Sequence, residues 1–199
     1  MKSITALSTA CLLFSNQGAW AQDLWVDENG KFRAMQITDI HYGEKDSKDR
    51  KTTELIEKLV GWEQPDVAIL TGDMVSGYAW DQSEGWYKRQ WTKWTEAFKN
   101  KGLKYMYIQG NHDSQADLNR DQVTDVDTEL DISLTQKGPK NVTGSTNYVK
   151  AVYDHTKSKK LFYLWAFDSM SDGCEGVEGW GCIYPSQVDW YRQKSEQLI

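Results

Sequence analysis

Apolar positions along the first half of this chain switch repeatedly between two periods. Val67–Leu70 is a short continuous apolar run between polar segments, the pattern of a strand covered on both faces. Residues 32–37 and 105–108 are β-prone runs that predict two further strands. Between the three lie stretches with helical spacing. Residues 52–60 place Leu55, Ile56, Leu59 and Val60 on one face, and Gln64-Pro65 closes that helix because a residue before proline disfavours the helical region. Residues 84–101 place Tyr87, Trp91, Trp94 and Phe98 at steps of four, three and four, one stripe of a helix. We assign that stripe to packing against a sheet rather than to stacking of a sugar or base, and read the ten tryptophans mostly as core material. The order β-α-β-α-β predicts a parallel sheet.

The second half follows another pattern. A polar segment at 114–130 predicts a helix, and residues 146–153 and 160–167 predict an antiparallel pair around the turn Lys157-Ser158-Lys159. His155 falls in that Lys-rich turn and is read as an exposed turn residue. Pro185 and Ser186 open a last helix reaching Leu198, with Val188, Tyr191 and Leu198 expected inward. No repeat, low-complexity segment or long linker divides the chain, so residues 22–199 are expected to form one domain.

Composition narrows the class. The 199 residues are 39% hydrophobic and 26% charged, as in a globular protein. A formal charge of -6 argues against a nonspecific nucleic-acid grip, which needs clustered Lys and Arg, so a small anionic substrate would need metal to bind. Met1-Lys2, an apolar-leaning stretch at 4–14 and Ala19-Trp20-Ala21 match the three regions of a signal peptide. Residues 1–21 are therefore expected to be cleaved after Ala21, directing the chain into the secretory pathway, to be secreted or vacuolar/lysosomal. No other run approaches membrane-spanning length. Cleavage removes Cys11 and leaves Cys174 and Cys182 as a pair across a glycine-rich stretch, which predicts a disulfide-closed loop. Asn141-Val142-Thr143 is a glycosylation sequon.

The candidate chemistry sits where the three parallel strands should end. Asp39-Ile40-His41, Gly72-Asp73 and Gly110-Asn111-His112-Asp113 each follow a strand candidate, so sheet formation would gather their carboxylate, imidazole and carboxamide groups at one edge. Alternation at a strand end would put Asp39 and His41 on the same side. Gly72 allows close backbone approach, and Asp73 has two oxygens with which to bridge two ions. Asn111 offers a neutral carbonyl oxygen, and His112 can donate a proton to a phosphate oxygen or leaving alkoxide. Such an oxygen and nitrogen donor set accommodates iron, manganese or zinc.

These motifs, in this order, resemble the calcineurin-like metallophosphoesterases. With the later run Tyr184-Pro185-Ser186-Gln187-Val188-Asp189-Trp190, they look most like the purple acid phosphatase-like group. The resemblance implies a four-layer, α+β-like variety of α/β fold: a β-sandwich flanked by helices. It also implies one ion on Asp39, His41 and Asp73, a second on Asp73 and Asn111, and His112 beside the substrate. Hydroxide generated at two divalent or mixed-valence ions would attack the phosphorus of a small phosphate monoester. A cyclic-nucleotide or other phosphodiesterase, or a non-catalytic domain of the same fold, are the competing readings. Two departures stand out. Family members carry Asp or Tyr four positions after the motif glycine, where this chain has Ser76. The family also completes its site with later histidines, including a Gly-His-x-His segment, whereas His41, His112 and His155 are the three here. The chain therefore reads as the amino-terminal part of a longer protein, expected by itself to hold one ion well and to hydrolyse phosphate esters poorly.

Overall fold

The computed structural model describes residues 24–198; the expected signal segment at 1–21 lies outside them. The described elements run β1 (Leu24–Trp25), β2 (Ala34–Ile37), α1 (Asp46–Glu63), β3 (Val67–Leu70), α2 (Trp86–Asn100), β4 (Tyr105–Tyr107), α3 (Arg120–Thr128), β5 (Tyr148–Tyr153), β6 (Lys160–Ala166), β7 (Asp172–Cys174), β8 (Val177–Trp180) and α4 (Pro185–Glu196). No described helix is long and apolar enough to cross a membrane.

β2, β3 and β4 form a parallel sheet in that order, joined by α1 and α2. Its register aligns the strand ends: Ile37 pairs with Leu70, and Leu70 with Tyr107. The chain therefore leaves all three strands at one edge, which is what gathers the three motifs. β1, β5 and β6 form a second sheet, with β5 and β6 antiparallel around the turn that exposes His155. Two apolar clusters show how these parts are layered. Leu24, Val67, Met106, Tyr148, Val152 and Ala166 pack between the two sheets. Ile56 and Val60 of α1, the stripe Tyr87, Trp91, Trp94 and Phe98 of α2, and Val123 of α3 pack with Leu70, Tyr105 and Tyr107 on the opposite face of the parallel sheet. On the outer face of the second sheet, Trp165 of β6 meets Trp190 and Tyr191 of α4, with ring centroids 5.5 and 4.7 Å apart. The result is helices, sheet, sheet, helix, the expected four-layer mixed α/β arrangement.

Several expectations shift. Leu55 is 54% exposed, because only Ile56 and Val60 of the expected apolar face are buried in α1. In α4, Val188 and Tyr191 are 36% and 42% exposed, and the buried residue is polar, Gln187. Its amide donates to the Asn147 side chain at 2.6 Å and to the Asp168 carbonyl at 2.8 Å, while its Oε1 accepts the Tyr184 N–H at 2.7 Å. Polar anchoring by Gln187 thus acts beside the packing of Trp190 and Tyr191 on β6, with Val188 left exposed. The tryptophans are less uniformly core than expected: Trp86, Trp91 and Trp94 are buried, whereas Trp25, Trp62 and Trp180 are exposed. α3 begins at Arg120, six residues later than the pattern predicts. The preceding loop is tied down by the Asp117 carboxylate, which accepts the Tyr87 N–H at 2.9 Å, and Asn119 then caps the helix in a reciprocal box with Gln122.

Cys174 and Cys182 form the expected disulfide, closing the β7–β8 hairpin. Asn141 is exposed in the loop before β5, as a glycosylation acceptor needs to be.

Candidate metal centre

Asp39 and His41 reach the site by a route other than strand alternation. β2 ends at Ile37, and both residues then adopt left-handed backbone, φ 56° and 50°. Asp73, beyond β3, does the same at φ 55°. Left-handed backbone destabilises an L-residue by about 1–2 kcal/mol, and Asp and His tolerate it better than most. Three such residues in one site form a cluster of strain of the kind that collects where function demands it. The strained segments are held by each other: Asp39 N–H donates to the Gly72 carbonyl at 3.0 Å, His41 N–H to the Asp73 carbonyl at 3.1 Å, and Tyr42 N–H to the Met74 carbonyl at 3.0 Å.

The consequence is convergence. Asp39, His41 and Asp73 each present a ligand atom, and these atoms lie within 4.8 Å of one another. Asn111 lines the same cleft as Asp39 and Asp73. Glycine makes the approach of the second and third motifs feasible. Gly72 has φ 101°, and a Cβ there would lie 2.6 Å from the Gly110 Cα. A Cβ on Gly110 would in turn run into the Asp73 carboxylate. The Asp73 Oδ1 accepts the His112 backbone N–H at 2.8 Å, which couples the second motif to the third.

The last residue of the third motif has a role that sequence reasoning missed. The Asp113 side chain is fully buried, and its carboxylate accepts the N–H groups of Asp73 at 2.9 Å, Val75 at 3.1 Å and Gly110 at 2.9 Å. It staples both loops from beneath the site. Burial pushes its carboxyl up, against the opposing pull of the Gly110 and Val75 N–H groups.

Each imidazole is oriented by a neutral partner. The Nδ1 of His41 lies 3.0 Å from the Ser76 Oγ, whose hydroxyl donates to Glu44 at 3.3 Å. That leaves Nε2 of His41 facing Asp39, 3.7 Å from its Oδ1. Glu44 is held down to about 2 by the Tyr78 hydroxyl, then by Lys48. The Nδ1 of His112 lies 2.7 Å from the Gln115 Oε1, and the Tyr78 ring packs edge-on against the His112 ring at 4.7 Å. Position 76 thus serves the candidate ligand His41, not His112, whose orienting partner is a carboxamide. Ser76 was visible in the sequence as a departure; Glu44, Tyr78 and Gln115 carried no signal.

A further support ties the site to the segment after β6. Arg120 at the start of α3 donates to the Gly110 carbonyl at 2.9 Å, to the Ser171 hydroxyl at 2.9 Å and to the buried Asp168 carboxylate. His155 lies in its exposed turn and takes no part in the site.

A two-sheet sandwich between helices, with carboxylate, imidazole and carboxamide groups gathered at one edge of the parallel sheet, defines a metallophosphoesterase-type domain. The family model for calcineurin-like phosphoesterases matches residues 32–192, and the chain belongs to that family. It is 27% identical to the Arabidopsis thaliana protein "Probable inactive purple acid phosphatase 29" over 96% of this chain and 55% of that one. It is 25% identical to "Probable inactive purple acid phosphatase 14" of the same plant over 89% of this chain and 50% of the relative. It is also 24% identical to "Phosphatase DCR2" of Saccharomyces cerevisiae over 90% of this chain and 32% of the relative. The chain thus spans from about a third to just over half of the length of these relatives.

Proposed function

We propose that this chain carries the metal site of a phosphate-ester hydrolase acting on small phosphomonoesters. The observation that carries this reading is the convergence of Asp39, His41 and Asp73 on strained, mutually tethered backbone. Their donor set fits a divalent iron, manganese or zinc ion: two carboxylates, one imidazole with Nε2 free, and the Asn111 carboxamide on the same cleft wall. Asp39, His41 and Asp73 would hold the first ion; Asp73 and Asn111 would contribute to a second. Ions held there supply Lewis acidity toward a phosphoryl oxygen and lower the pKa of water.

The chain's own residues do the rest. The Asp113 staple fixes the spacing of the second and third motifs, and Ser76 with Glu44 keeps the His41 Nε2 directed at the donor cluster. Gln115 accepts from the Nδ1–H of His112, so the ring in its protonated, imidazolium form would carry its second proton on Nε2 and could give that proton to a departing alkoxide. The secretory compartment fits the same reading, since the disulfide persists where the environment is oxidising and the Asn141 sequon is exposed.

A non-catalytic role is the second reading. It is favoured by the names of two plant relatives, "probable inactive". One experiment separates the two: titration of the full-length protein with manganese, zinc or iron, followed by assay on an aryl phosphate and on a bis-aryl phosphate diester. Metal-dependent turnover of the monoester above the diester supports the proposal. Stoichiometric metal binding without turnover of either supports the non-catalytic reading, and preference for the diester supports a phosphodiesterase.

A further inference from the structure

The cleft that holds the candidate ligands is lined by two chemically different sets of side chains. It has a volume of about 380 Å³. Asp39, Asp73 and Asn111 contribute polar donors to its lining, and Phe167, Met170 and Trp180 contribute apolar surface. Phe167 is engaged elsewhere, since its ring packs against Trp190 with centroids 5.7 Å apart. Trp180 is different. It is 72% exposed, and among the described residues no aromatic ring packs against it.

The chain nevertheless fixes the backbone that carries this exposed indole. Trp180 ends β8 and pairs with Asp172 of β7. The adjacent Gly181 donates its N–H to the Ser171 carbonyl at 3.2 Å, and it packs so closely on the neighbouring backbone that a Cβ there would lie 2.8 Å from the Met170 carbonyl carbon. One residue further, Cys182 is bridged to Cys174. Ser171, in turn, accepts from Arg120, the same guanidinium that holds the Gly110 carbonyl. A strand pair, a contact only glycine fits, a disulfide and an arginine shared with the third motif therefore tie the Trp180 backbone to the third motif. A large apolar side chain left in water at a restrained position gains most by stacking on a flat partner.

We propose that Trp180 is a specificity-determining residue: it stacks on a planar aromatic leaving group, so the site takes aromatic phosphate esters in preference to aliphatic ones. This rests on the phosphate-ester reading of the candidate metal site. Ions on the candidate ligands would hold the phosphoryl group, and the indole would cover the ring.

Phenylphosphonate and methylphosphonate, which share the anionic head and cannot be hydrolysed, test this by calorimetric titration into metal-loaded full-length protein. Phenylphosphonate is expected to bind more tightly by about threefold to tenfold, the range of an aromatic stacking pair. Trp180→Ala should bring that ratio close to one, and Trp180→Phe should restore most of it. A ratio near one in the native protein, or an unchanged ratio in Trp180→Ala, would overturn the stacking role while methylphosphonate binding left the metal reading intact. If neither phosphonate binds the native protein, the phosphate-ester reading fails and this inference falls with it.

Discussion

The Asp113 carboxylate accepts the backbone N–H of Asp73 at 2.9 Å across 40 residues of sequence, fastening the last residue of one motif beneath the candidate bridging ligand of another. Two more N–H groups, from Gly110 and Val75, converge on the same buried carboxylate. Asp113→Asn keeps the shape but turns one acceptor oxygen into a donor facing an N–H. Each buried donor left unsatisfied is worth about 1–3 kcal/mol. Denaturant unfolding of Asp113→Asn should show a loss of at least that size together with weaker metal binding; a native-like midpoint would remove the staple from the account.

Asp73 and His112 should separate cleanly by metal content. Asp73→Ala removes a ligand expected to serve both ions and the acceptor of the His112 N–H, so bound metal and turnover should both be lost. His112→Ala should retain metal while turnover falls on the order of 10² to 10⁴, the usual weight of a proton donor. Elemental analysis beside steady-state kinetics on the full-length protein checks this, and equal metal loss in both variants would contradict the roles.

Ser76 is buried and holds the Nδ1 of His41. Loss of a group that orients a metal-binding histidine typically weakens affinity 10- to 100-fold. Ser76→Ala should therefore raise the metal dissociation constant by about that factor, with Ser76→Thr closer to native and the circular dichroism of both unchanged. Tight binding in Ser76→Ala would show that His41 needs no such partner.

Asp127 gives the fold a pH dependence away from the site. It is buried, accepts the Tyr105 hydroxyl at 2.5 Å and the Ser133 hydroxyl at 2.8 Å, and burial raises its carboxyl above the ordinary 3.8. A raised folded-state value means the folded protein holds this proton more tightly than the unfolded one. The group therefore favours folding most below 3.8, and that contribution is lost as pH rises through the raised value. Asp127→Asn should remove this component, making the stability–pH slope above pH 3.8 less negative by at most about 1.4 kcal/mol per pH unit. Unfolding curves of both proteins across that range would show it, and parallel slopes would refute it.

The parallel half of the fold was legible because its signals are local. Val67–Leu70 reads as a buried strand wherever it sits, and Tyr87, Trp91, Trp94 and Phe98 share a face by helical geometry alone. The candidate ligands were legible for the same reason, each motif following a strand whose end the pattern located. The disulfide pair was legible as the two cysteines left together in one glycine-rich stretch. What the sequence determined by itself is therefore the parallel β-α-β unit, the β5–β6 pair, the last helix and the placing of the candidate residues at the strand ends, whereas β1 and the β7–β8 hairpin carried no periodic signal. Tertiary structure alone decided how those ends meet: left-handed backbone at Asp39, His41 and Asp73, the Gly72–Gly110 contact, and the choice of Asp113, Ser76, Gln115 and Arg120 as supports. It also anchored α4 through the buried Gln187, with Tyr191 packing on Trp165 as expected and Val188 left partly exposed. The physical reason is that a helix or strand period is set by neighbours in sequence, whereas a buried carboxylate or amide takes its partners from whichever distant N–H, carbonyl or carboxamide the packed chain presents.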